Sequence, residues 1–218
     1  MNHIVILCDG AFPRKEYPLY LLESADAVVC CDAAVLKYLR FTRKRYGQER
    51  LPEAVIGEFD SLSPAWQKRL SALLIRDSGQ EDNDLTKAMR YVLATWPEVE
   101  QITILGAGGL REDHTVANLG LLMEYTRLFD LGSRRVEMVS DFGTAFAITD
   151  SCQLHLGAGR RISLFSADNS LNIKSTGLQW PTDNVVFDAW WPATLNRTTD
   201  DKVTLTLSHP SRVLVFVD

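Results

Sequence analysis

Six short apolar runs recur along the chain up to about residue 140, and amphipathic stretches separate them. The stretches place apolar residues three or four positions apart, as in Leu19 with Leu22 and Val35 with Leu39, which is the spacing of helices. Uniformly apolar strands that alternate with helices predict a parallel sheet covered on both faces. The runs cover residues 4–7, 27–31, 54–56, 73–75, 102–105 and 136–139.

The pattern changes past about residue 140, where short β-rich stretches replace the helices. Gly, Pro, Asn, Asp and Ser separate these stretches, as in a small antiparallel sandwich. We therefore expect a three-layer α/β domain with a parallel sheet over residues 1–136 and an all-β sandwich over residues 137–218. The β-rich stretches cover residues 152–156, 162–165, 171–175, 185–187, 203–207 and 213–217.

Composition narrows the class of protein further. With 218 residues, 46% hydrophobic and 23% charged, the chain is long enough for a sizeable core and has the balance of a globular protein. A net charge of -5 gives no sign of a nucleic-acid surface. No apolar span of 18 residues and no signal peptide is found, so we expect a cytoplasmic protein that does not contact a membrane. The four cysteines lack CxxC spacing, so neither a disulfide framework nor a zinc site is indicated. Three of the four lie in strand-like apolar runs, which predicts buried, reduced thiols.

Residues 104–118, ILGAGGLREDHTVAN, concentrate several kinds of chemical group between a predicted strand and a predicted helix. Ligands bind at this position in open α/β sheets, and backbone amides there suit phosphate oxygens. Neither GxxxxGK[ST] nor GxGxxG is present, and a plain strand-to-helix turn is the alternative. The stretch contains Gly106, Gly108, Gly109, Arg111, Asp113, His114 and Asn118.

Carboxylates follow successive predicted strands, and in a parallel sheet these strand ends share one edge. Clustered carboxylates raise one another's pKa unless a cation neutralises them, and hard oxygen ligands without histidines favour magnesium. Each acid alone could instead be solvated or cap a helix. Asp84, or the neighbouring Asn83, could cap the helix that begins at Leu85. Lys87 could be a surface partner of Asp84 or a phosphate ligand. The acids are Asp9, Asp32, Glu58, Asp60, Glu81, Asp82, Asp84 and Asp113.

Four ordered motifs extend through the first predicted domain. They are CDAA at residues 31–34, GEFDS at 57–61, QEDNDLTKA at 80–88 and the glycine stretch at 104–118. Together they resemble the CDGA, GDFDS, DQDxTDLxKA and GATGGRxDHxxAN patterns of the thiamine pyrophosphokinase family. Beyond residue 140 the resemblance is limited to residues 177–178 and to Asn196, at the place of the family's SNE triplet. The departures are Ala33 and Leu110 for glycines, Glu58 and Glu81 for aspartates, and Leu195 and Arg197 beside Asn196.

The resemblance implies an enzyme that transfers pyrophosphate from ATP to the hydroxyl of thiamine with magnesium. It also implies a homodimer that binds thiamine between the first domain of one subunit and the second domain of its partner. The implied metal ligands are Glu58, Asp60 and Asp84, with Glu81 in support. The implied ATP contacts are Asp32, Ser61, Lys87, Gly106, Gly108, Gly109, Arg111, His114 and Asn118. The implied catalytic residues are Asp60, Asp84, Arg111 and Asp113, and the implied thiamine contacts are Asp113, Asn196 and Trp191, with buried core as the alternative for Trp191.

Two other functions are compatible with these motifs. A pyrophosphokinase of the same build could act on another primary alcohol, such as a pterin, because the second domain departs from the family pattern. A non-catalytic nucleotide-binding module would be expected to lack several acids or Arg111, and these groups are all present. An unspecialised α/β protein is a third alternative.

Overall fold

The computed structural model describes residues 2–79 and 81–218, which separate into two compact units. The first unit contains the described residues up to Asn118 together with Gly132–Asp141. The second contains Leu119–Leu131 and Phe142–Asp218. The units therefore interleave along the chain, whereas the sequence predicted a single division after residue 136. None of the helices in the described part combines the length and the apolar character that a membrane crossing needs.

Strands and helices alternate along the first unit. In chain order they are β1 (His3–Leu7), α1 (Glu16–Ser24), β2 (Ala27–Cys31), α2 (Ala34–Tyr46), β3 (Ala54–Gly57), α3 (Pro64–Arg69), β4 (Leu74–Arg76), α4 (Asp84–Thr95), β5 (Gln101–Leu105), α5 (Glu112–Leu128) and β6 (Arg135–Ser140). The strands are parallel and lie in the order β6-β5-β1-β2-β3-β4. The predicted parallel sheet is confirmed, and α5 begins in the first unit and continues into the second.

Helices cover both faces of this sheet. Successive residues of a strand point to opposite faces, so each strand contributes side chains to the core on both sides. Leu7 packs in one core cluster with Leu22 of α1 and Leu39 of α2. On the other face α4 contacts β1, β2 and β3, with Leu85 and Met89 buried. The carboxyl ends of the parallel strands are left uncovered by this arrangement and point towards one edge.

Besides the end of α5, the second unit contains two antiparallel sheets. Its strands are β7 (Gly143–Ile148), β8 (Cys152–His155), β9 (Arg161–Phe165), β10 (Ile173–Thr176), β11 (Ala193–Arg197), β12 (Lys202–Leu207) and β13 (Val213–Val217). One sheet has the order β11-β9-β13-β7 and the other β10-β12-β8. Side chains from both sheets, such as Leu164 and Leu205, share one apolar cluster. The predicted all-β sandwich is thus confirmed.

Three details of the second unit differ from the sequence expectation. Strands β7 and β11 were not predicted, and the strand predicted at residues 185–187 is wrong. Those three residues do alternate, with Phe187 buried and Val186 exposed, but the segment forms no ladder. A bend made by the backbone N of Val185, which donates to O of Thr182 at 2.9 Å, takes the place of strand pairing.

Candidate active site

A cavity of about 380 Å³ lies in the first unit at the carboxyl ends of β1, β2 and β5, beside the amino end of α4. Its position agrees with the ligand site of open parallel sheets. Half of the residues that line it were assigned to the site from the sequence. These are Asp32, Ser61, Asp84, Gly106, Gly108, Arg111, His114 and Asn118.

The floor of the cavity is backbone from two loops in direct contact. The N of Gly10 donates to O of Gly106 at 2.7 Å, and the N of Ala11 donates to O of Gly108 at 2.8 Å. A Cβ at Gly10 would lie 2.3 Å from O of Gly106, and a Cβ at Gly106 would lie 2.5 Å from O of Cys8. Side chains therefore do not fit at either glycine, which explains why the loops after β1 and β5 must both be glycine-rich here.

Asn118 connects the glycine loop to the start of α4. Its Nδ2 donates to O of Ala107 at 2.8 Å, and its Oδ1 accepts a hydrogen bond from Nδ2 of Asn83 at 3.0 Å. Asn83 in turn caps α4, because its Oδ1 accepts from the N of Thr86 at 2.9 Å. Of the two residues that the sequence offered as a cap, Asn83 is the one that caps the helix, and Asp84 is left for other roles.

Asp32, directly after β2, is one of the acids that line the cavity. Its Oδ1 is buried without a hydrogen-bond partner among the residues that the structure describes. Burial raises the pKa of this carboxyl, the charges of Asp60, Asp9 and Glu58 raise it further, and a hydrogen bond from Ser61 acts in the opposite direction. The predicted convergence of strand-end acids is therefore present, and a cation would relieve their repulsion.

Lys87 lies inside this acid cluster. Its Nζ is 3.7 Å from Oε1 of Glu58 and 3.8 Å from Oδ1 of Asp84, and it donates to O of Asp77 at 2.8 Å. Only 3% of its side chain is exposed, so the interpretation of Lys87 as a surface partner is wrong. Burial raises the pKa of Asp84, and the charge of Lys87 acts in the opposite direction by favouring the carboxylate.

The loop that carries Glu58 and Asp60 is fixed by the residue between them. Phe59 is buried, with a left-handed φ of 68° that costs energy for a non-glycine residue. Nε2 of Gln67 donates to O of Phe59 at 2.8 Å, and Arg76 donates to O of Glu58. This anchoring holds the two acids at the edge of the sheet.

Arg111 and Asp113 form an exposed, bidentate ion pair at the start of α5. Nε of Arg111 donates to Oδ1 of Asp113 at 3.1 Å, and Nη2 donates to Oδ2 at 2.6 Å. These bonds, with a further one from the N of His114, hold the pKa of Asp113 below its usual range. Asp113 is therefore a carboxylate at neutral pH, and Arg111 retains N–H donors for an anion.

Asp9 and Lys37 are residues of the site that sequence reasoning did not assign. Nζ of Lys37 on α2 lies 2.8 Å from Oδ1 of Asp9 and donates to O of Asp9 at 2.7 Å and to O of Gly10 at 2.8 Å. The sequence places Asp9 among the strand-end acids but indicates no particular contact for it. The pairing of Asp9 with Gly10 after the first strand was the available signal, whereas nothing in the helical pattern distinguishes Lys37.

Other predicted residues lie away from the cavity wall. Glu81 is exposed in the loop before α4, and Gln80 of the same motif lies outside the described residues. Gly109 contributes a left-handed turn with φ of 84°, and a Cβ there would lie 2.8 Å from Cβ of Ala11. Its place in the loop is thus set by backbone geometry.

Asn196 and Trp191 belong to the second unit. The side chain of Asn196 is buried and bridges the backbone of Trp180, whose N donates to Oδ1 at 3.2 Å and whose O accepts from Nδ2 at 2.6 Å. Trp191 is 62% exposed, so the buried-core alternative for it is wrong. Contact of either residue with thiamine stays a prediction.

The donor set fits magnesium as the implied metal. Within the described residues no three His, Cys, Asp or Glu side chains are already arranged around one metal position. Magnesium commonly needs one or two carboxylates and takes its other ligands from water and substrate phosphates. Oδ1 of Asp32 is buried without a partner among the described residues. Burial, and after it the charges of Asp32, Glu58 and Asp60, raise the pKa of Asp84. A bound divalent cation would relieve both features.

Two protein-family models match this chain. One, described as the thiamin pyrophosphokinase catalytic domain, matches residues 19–130. The other, described as the thiamin pyrophosphokinase substrate-binding domain, matches residues 143–216. The chain belongs to the thiamin pyrophosphokinase family. Most residues that line the cavity lie in the matched catalytic-domain region, and Cys8, Asp9 and Gly10 precede it. Asn196 and Trp191 lie in the matched substrate-binding region.

Individual members of the thiamin pyrophosphokinase family agree with this assignment. The chain is 27% identical over 147 residues to thiamine pyrophosphokinase 1 of Oryza sativa subsp. japonica, a match that covers 61% of this chain and 53% of the rice protein. The chain thus spans about half the length of that relative.

Solved structures of this family have a similar fold. The crystal structure of the Bacillus subtilis thiamine pyrophosphokinase is 17% identical, covers 99% of this chain and 98% of its own, and superposes with a TM-score of 0.74. The yeast thiamin pyrophosphokinase, also 17% identical, covers 100% of this chain and 86% of its own with a TM-score of 0.76. At these identities the structural likeness shows the fold.

Proposed function

We propose that this protein transfers pyrophosphate from ATP to the hydroxyl of thiamine and releases thiamine diphosphate and AMP. The observation that carries the proposal is the meeting of strand-end acids with a glycine-rich backbone floor in one cavity of the first unit. Membership of the thiamin pyrophosphokinase family supports thiamine as the acceptor.

The phosphates of ATP would lie on the floor formed by the loops after β1 and β5. The absence of side chains at Gly10 and Gly106 allows a polyanion to approach the backbone closely. Arg111 lies on the cavity wall, and the first turn of α5 begins directly after it, so the helix end and the guanidinium both favour negative charge there. Ser61, His114 and Asn118 are further proposed ATP contacts.

The acids of the cluster would hold magnesium. Glu58, Asp60 and Asp84 are the proposed ligands, with Glu81 in support, and magnesium when bound supplies charge neutralisation on the phosphates. Lys87 supports this role because its charge favours the ionised form of Asp84. Asp32 contributes a buried carboxylate oxygen to the same region.

The reaction would rest on positioning and on electrostatic stabilisation. The thiamine hydroxyl attacks the β-phosphorus of ATP, and AMP is the leaving group. Asp113 remains ionised beside Arg111, so it can orient a donor group of thiamine. Trp191, with its exposed ring, and Asn196 are the proposed contributions of the substrate-binding region.

A homodimer in the cytoplasm is the proposed form of the protein. The second unit exposes several large apolar side chains in β11 and in the segment before it, where a monomer would leave them in water. They are Trp180, Val186, Trp190, Trp191 and Leu195. Burial of these residues against a second copy would stabilise a unit whose own core is small.

The reaction is tested by incubating the protein with ATP, magnesium and thiamine and separating nucleotides and thiamine esters by chromatography. We expect AMP and thiamine diphosphate in equal amounts, and we expect a chelator to stop the formation of both. ADP with thiamine monophosphate would contradict attack at the β-phosphorus. AMP formed with a pterin alcohol and not with thiamine would instead assign the protein to the other acceptor.

A further inference from the structure

Cys8 and Cys31 bring two thiols together in the wall of the cavity. Cys8 follows β1 and Cys31 ends β2, and these parallel strands pair in register up to Leu7 with Cys30. The two Sγ atoms are 3.9 Å apart, which is well beyond the length of about 2.05 Å for a disulfide bond. Both residues line the cavity, so the pair is a free dithiol at the proposed nucleotide site.

One of the two thiols also contacts the backbone of Asp84. The thiol of Cys31 donates a long hydrogen bond to the backbone O of Asp84, with 3.6 Å between Sγ and O. Cys30 points to the opposite side of β2 and belongs to the apolar core cluster. Cys152 lies in the second unit. Neither of these two other cysteines lines the cavity.

We propose that Cys8 and Cys31 form a binding site for trivalent arsenicals. An arsenical R–As=O condenses with two thiols to give R–As(S)₂ and one molecule of water. Two S–H and one As=O bond break, two As–S bonds form, and the two thiol protons leave with the oxygen. Arsenic stays trivalent, so the reaction needs no oxidant or reductant. Two thiols 3.9 Å apart can reach one arsenic atom after a small rotation of their side chains.

The proximity of the second thiol determines the strength of capture. After the first As–S bond forms, the second is intramolecular, and such a second contact typically raises overall affinity by about 10²–10⁴-fold. A single thiol at this place would therefore release the reagent on dilution, whereas the pair retains it.

Capture at this site would also block the cavity. The organic group on arsenic would occupy part of a space of about 380 Å³, and the contact of Cys31 with Asp84 would be lost. This blocking effect rests on the proposed function, because the arsenical would compete with ATP only if ATP binds in the cavity. The capture itself depends only on the two thiols.

The test is intact-mass analysis after incubation with phenylarsine oxide and removal of excess reagent. Wild type is expected to retain one phenylarsine group per chain, and Cys8→Ser and Cys31→Ser are expected to retain at least 10²-fold less. Cys152→Ser is the matched control and should retain one group, like wild type. Equal retention by Cys8→Ser, or loss of retention in Cys152→Ser, would overturn the assignment.

Wild-type protein alone provides a second measurement should a variant fail to fold. Labelling of free thiols with N-ethylmaleimide, before and after arsenical treatment, is followed by peptide mapping. Protection of the Cys8 and Cys31 peptides together is the expected result, and protection of neither, or of another pair, would refute the site. Slower capture in the presence of ATP and magnesium tests the proposed function separately, since retention without such competition would refute only the nucleotide site.

Discussion

Asn83 and Asn118 are hydrogen-bonded through their side-chain amides, with Nδ2 of Asn83 donating to Oδ1 of Asn118 at 3.0 Å. One residue caps α4 and the other lies on α5, so this bond connects the beginnings of two elements that are distant in sequence. The second half of the Asn118 amide holds O of Ala107 in the cavity floor. The position of the floor relative to α4 therefore depends on a single buried amide.

Replacement of Asn118 by alanine should reduce the stability of the protein. The change leaves the buried O of Ala107 without its partner, at an expected cost of about 1–3 kcal/mol, whereas the exposed Asn83 can bond to water instead. Urea unfolding followed by circular dichroism measures the loss. Asn83→Asp is the matched variant, because it keeps the Oδ1 cap on Thr86 and the Asn118 bond to Ala107, while it replaces the donor to Asn118 by a carboxylate oxygen. A smaller loss is expected for it, and equal stability of Asn118→Ala and wild type would contradict the structural role.

The proposed metal ligands can be tested by substitutions that preserve side-chain volume. Asp60→Asn and Asp84→Asn should each lower kcat by about 10²–10³-fold, because each removes a charge that neutralises a cation in the transition state. Asp82→Asn is the control, since Asp82 pairs with Arg90 outside the cavity wall and should retain the wild-type rate. A wild-type rate for Asp60→Asn at saturating magnesium would remove that residue from the metal site.

Lys87→Met should make the stability of the metal-free protein more dependent on pH. Lys87 favours ionised Asp84, whose pKa is already raised above its ordinary value by burial, so removal of the lysine raises this pKa further. A raised folded-state pKa means that the folded protein binds more protons, and stability then falls as pH rises through that pKa. We expect Lys87→Met to melt below wild type at pH 7 and to recover as pH falls towards the ordinary aspartate pKa of about 3.9, by about 2–4 °C for each kcal/mol.

Scanning calorimetry in the presence of a chelator measures this difference. Lys68→Met, at an exposed position of α3, is the control and should follow the wild-type profile. A Lys87→Met variant whose melting temperature stays parallel to wild type between pH 7 and about pH 4, near the ordinary aspartate pKa, would contradict the electrostatic role of Lys87.

Asp168 provides a stability test in the second unit. Its pKa is lowered, whereas that of Asp84 is raised, so stability should depend on pH in the opposite direction. Its carboxylate accepts hydrogen bonds from Oγ of Ser170 at 2.6 Å and Oγ of Ser211 at 2.8 Å and lies 2.9 Å from Nε2 of His209. These bonds, that of Ser170 foremost, lower the pKa of Asp168. A lowered folded-state pKa stabilises the protein above the ordinary aspartate pKa of about 3.9 and loses this contribution as pH falls below it.

Asp168→Asn should therefore be less stable than wild type at pH 7 by roughly 1 kcal/mol, the usual contribution of a hydrogen bond. The difference in the free energy of unfolding between the two proteins should be smaller at pH 3, where the Asp168 carboxylate begins to contribute less to the stability of wild type. Urea titrations of both proteins at the two pH values measure it. Asp150→Asn, at another exposed acid of this unit, should show no such change, and a difference that grows on acidification would be inconsistent with the lowered pKa.

Burial explains which features could be predicted from the sequence. Strands such as β2, with Val28, Val29 and Cys30 all buried, are apolar on both faces, so composition alone indicates a parallel sheet. β11 has no such pattern, because Leu195 is 81% exposed with a left-handed φ of 58° and the register shifts beside it. Its pairing with β9 depends on the fold of the whole unit.

The same reasoning applies to the site. The recurrence of acids at strand ends predicted their convergence, because the geometry of a parallel sheet is general. The burial of Lys87 could not be predicted, since a lysine in an amphipathic helix usually faces solvent. It is buried because Asp77, Glu58 and Asp84, which come from separate segments, supply partners for its ammonium group.

The backbone contact between Gly10 and Gly106 also has a consequence for protein synthesis. During translation the loop after β1 leaves the ribosome long before its partner, and β1 finds its neighbour β5 only when residues 101–105 have been made. A nascent chain that ends before this point lacks one side of the cavity. Contacts between distant residues form slowly, so the backbone floor would be among the last parts of the first unit to assemble, and a chain truncated before residue 106 would lack the Gly106 carbonyl that Gly10 contacts.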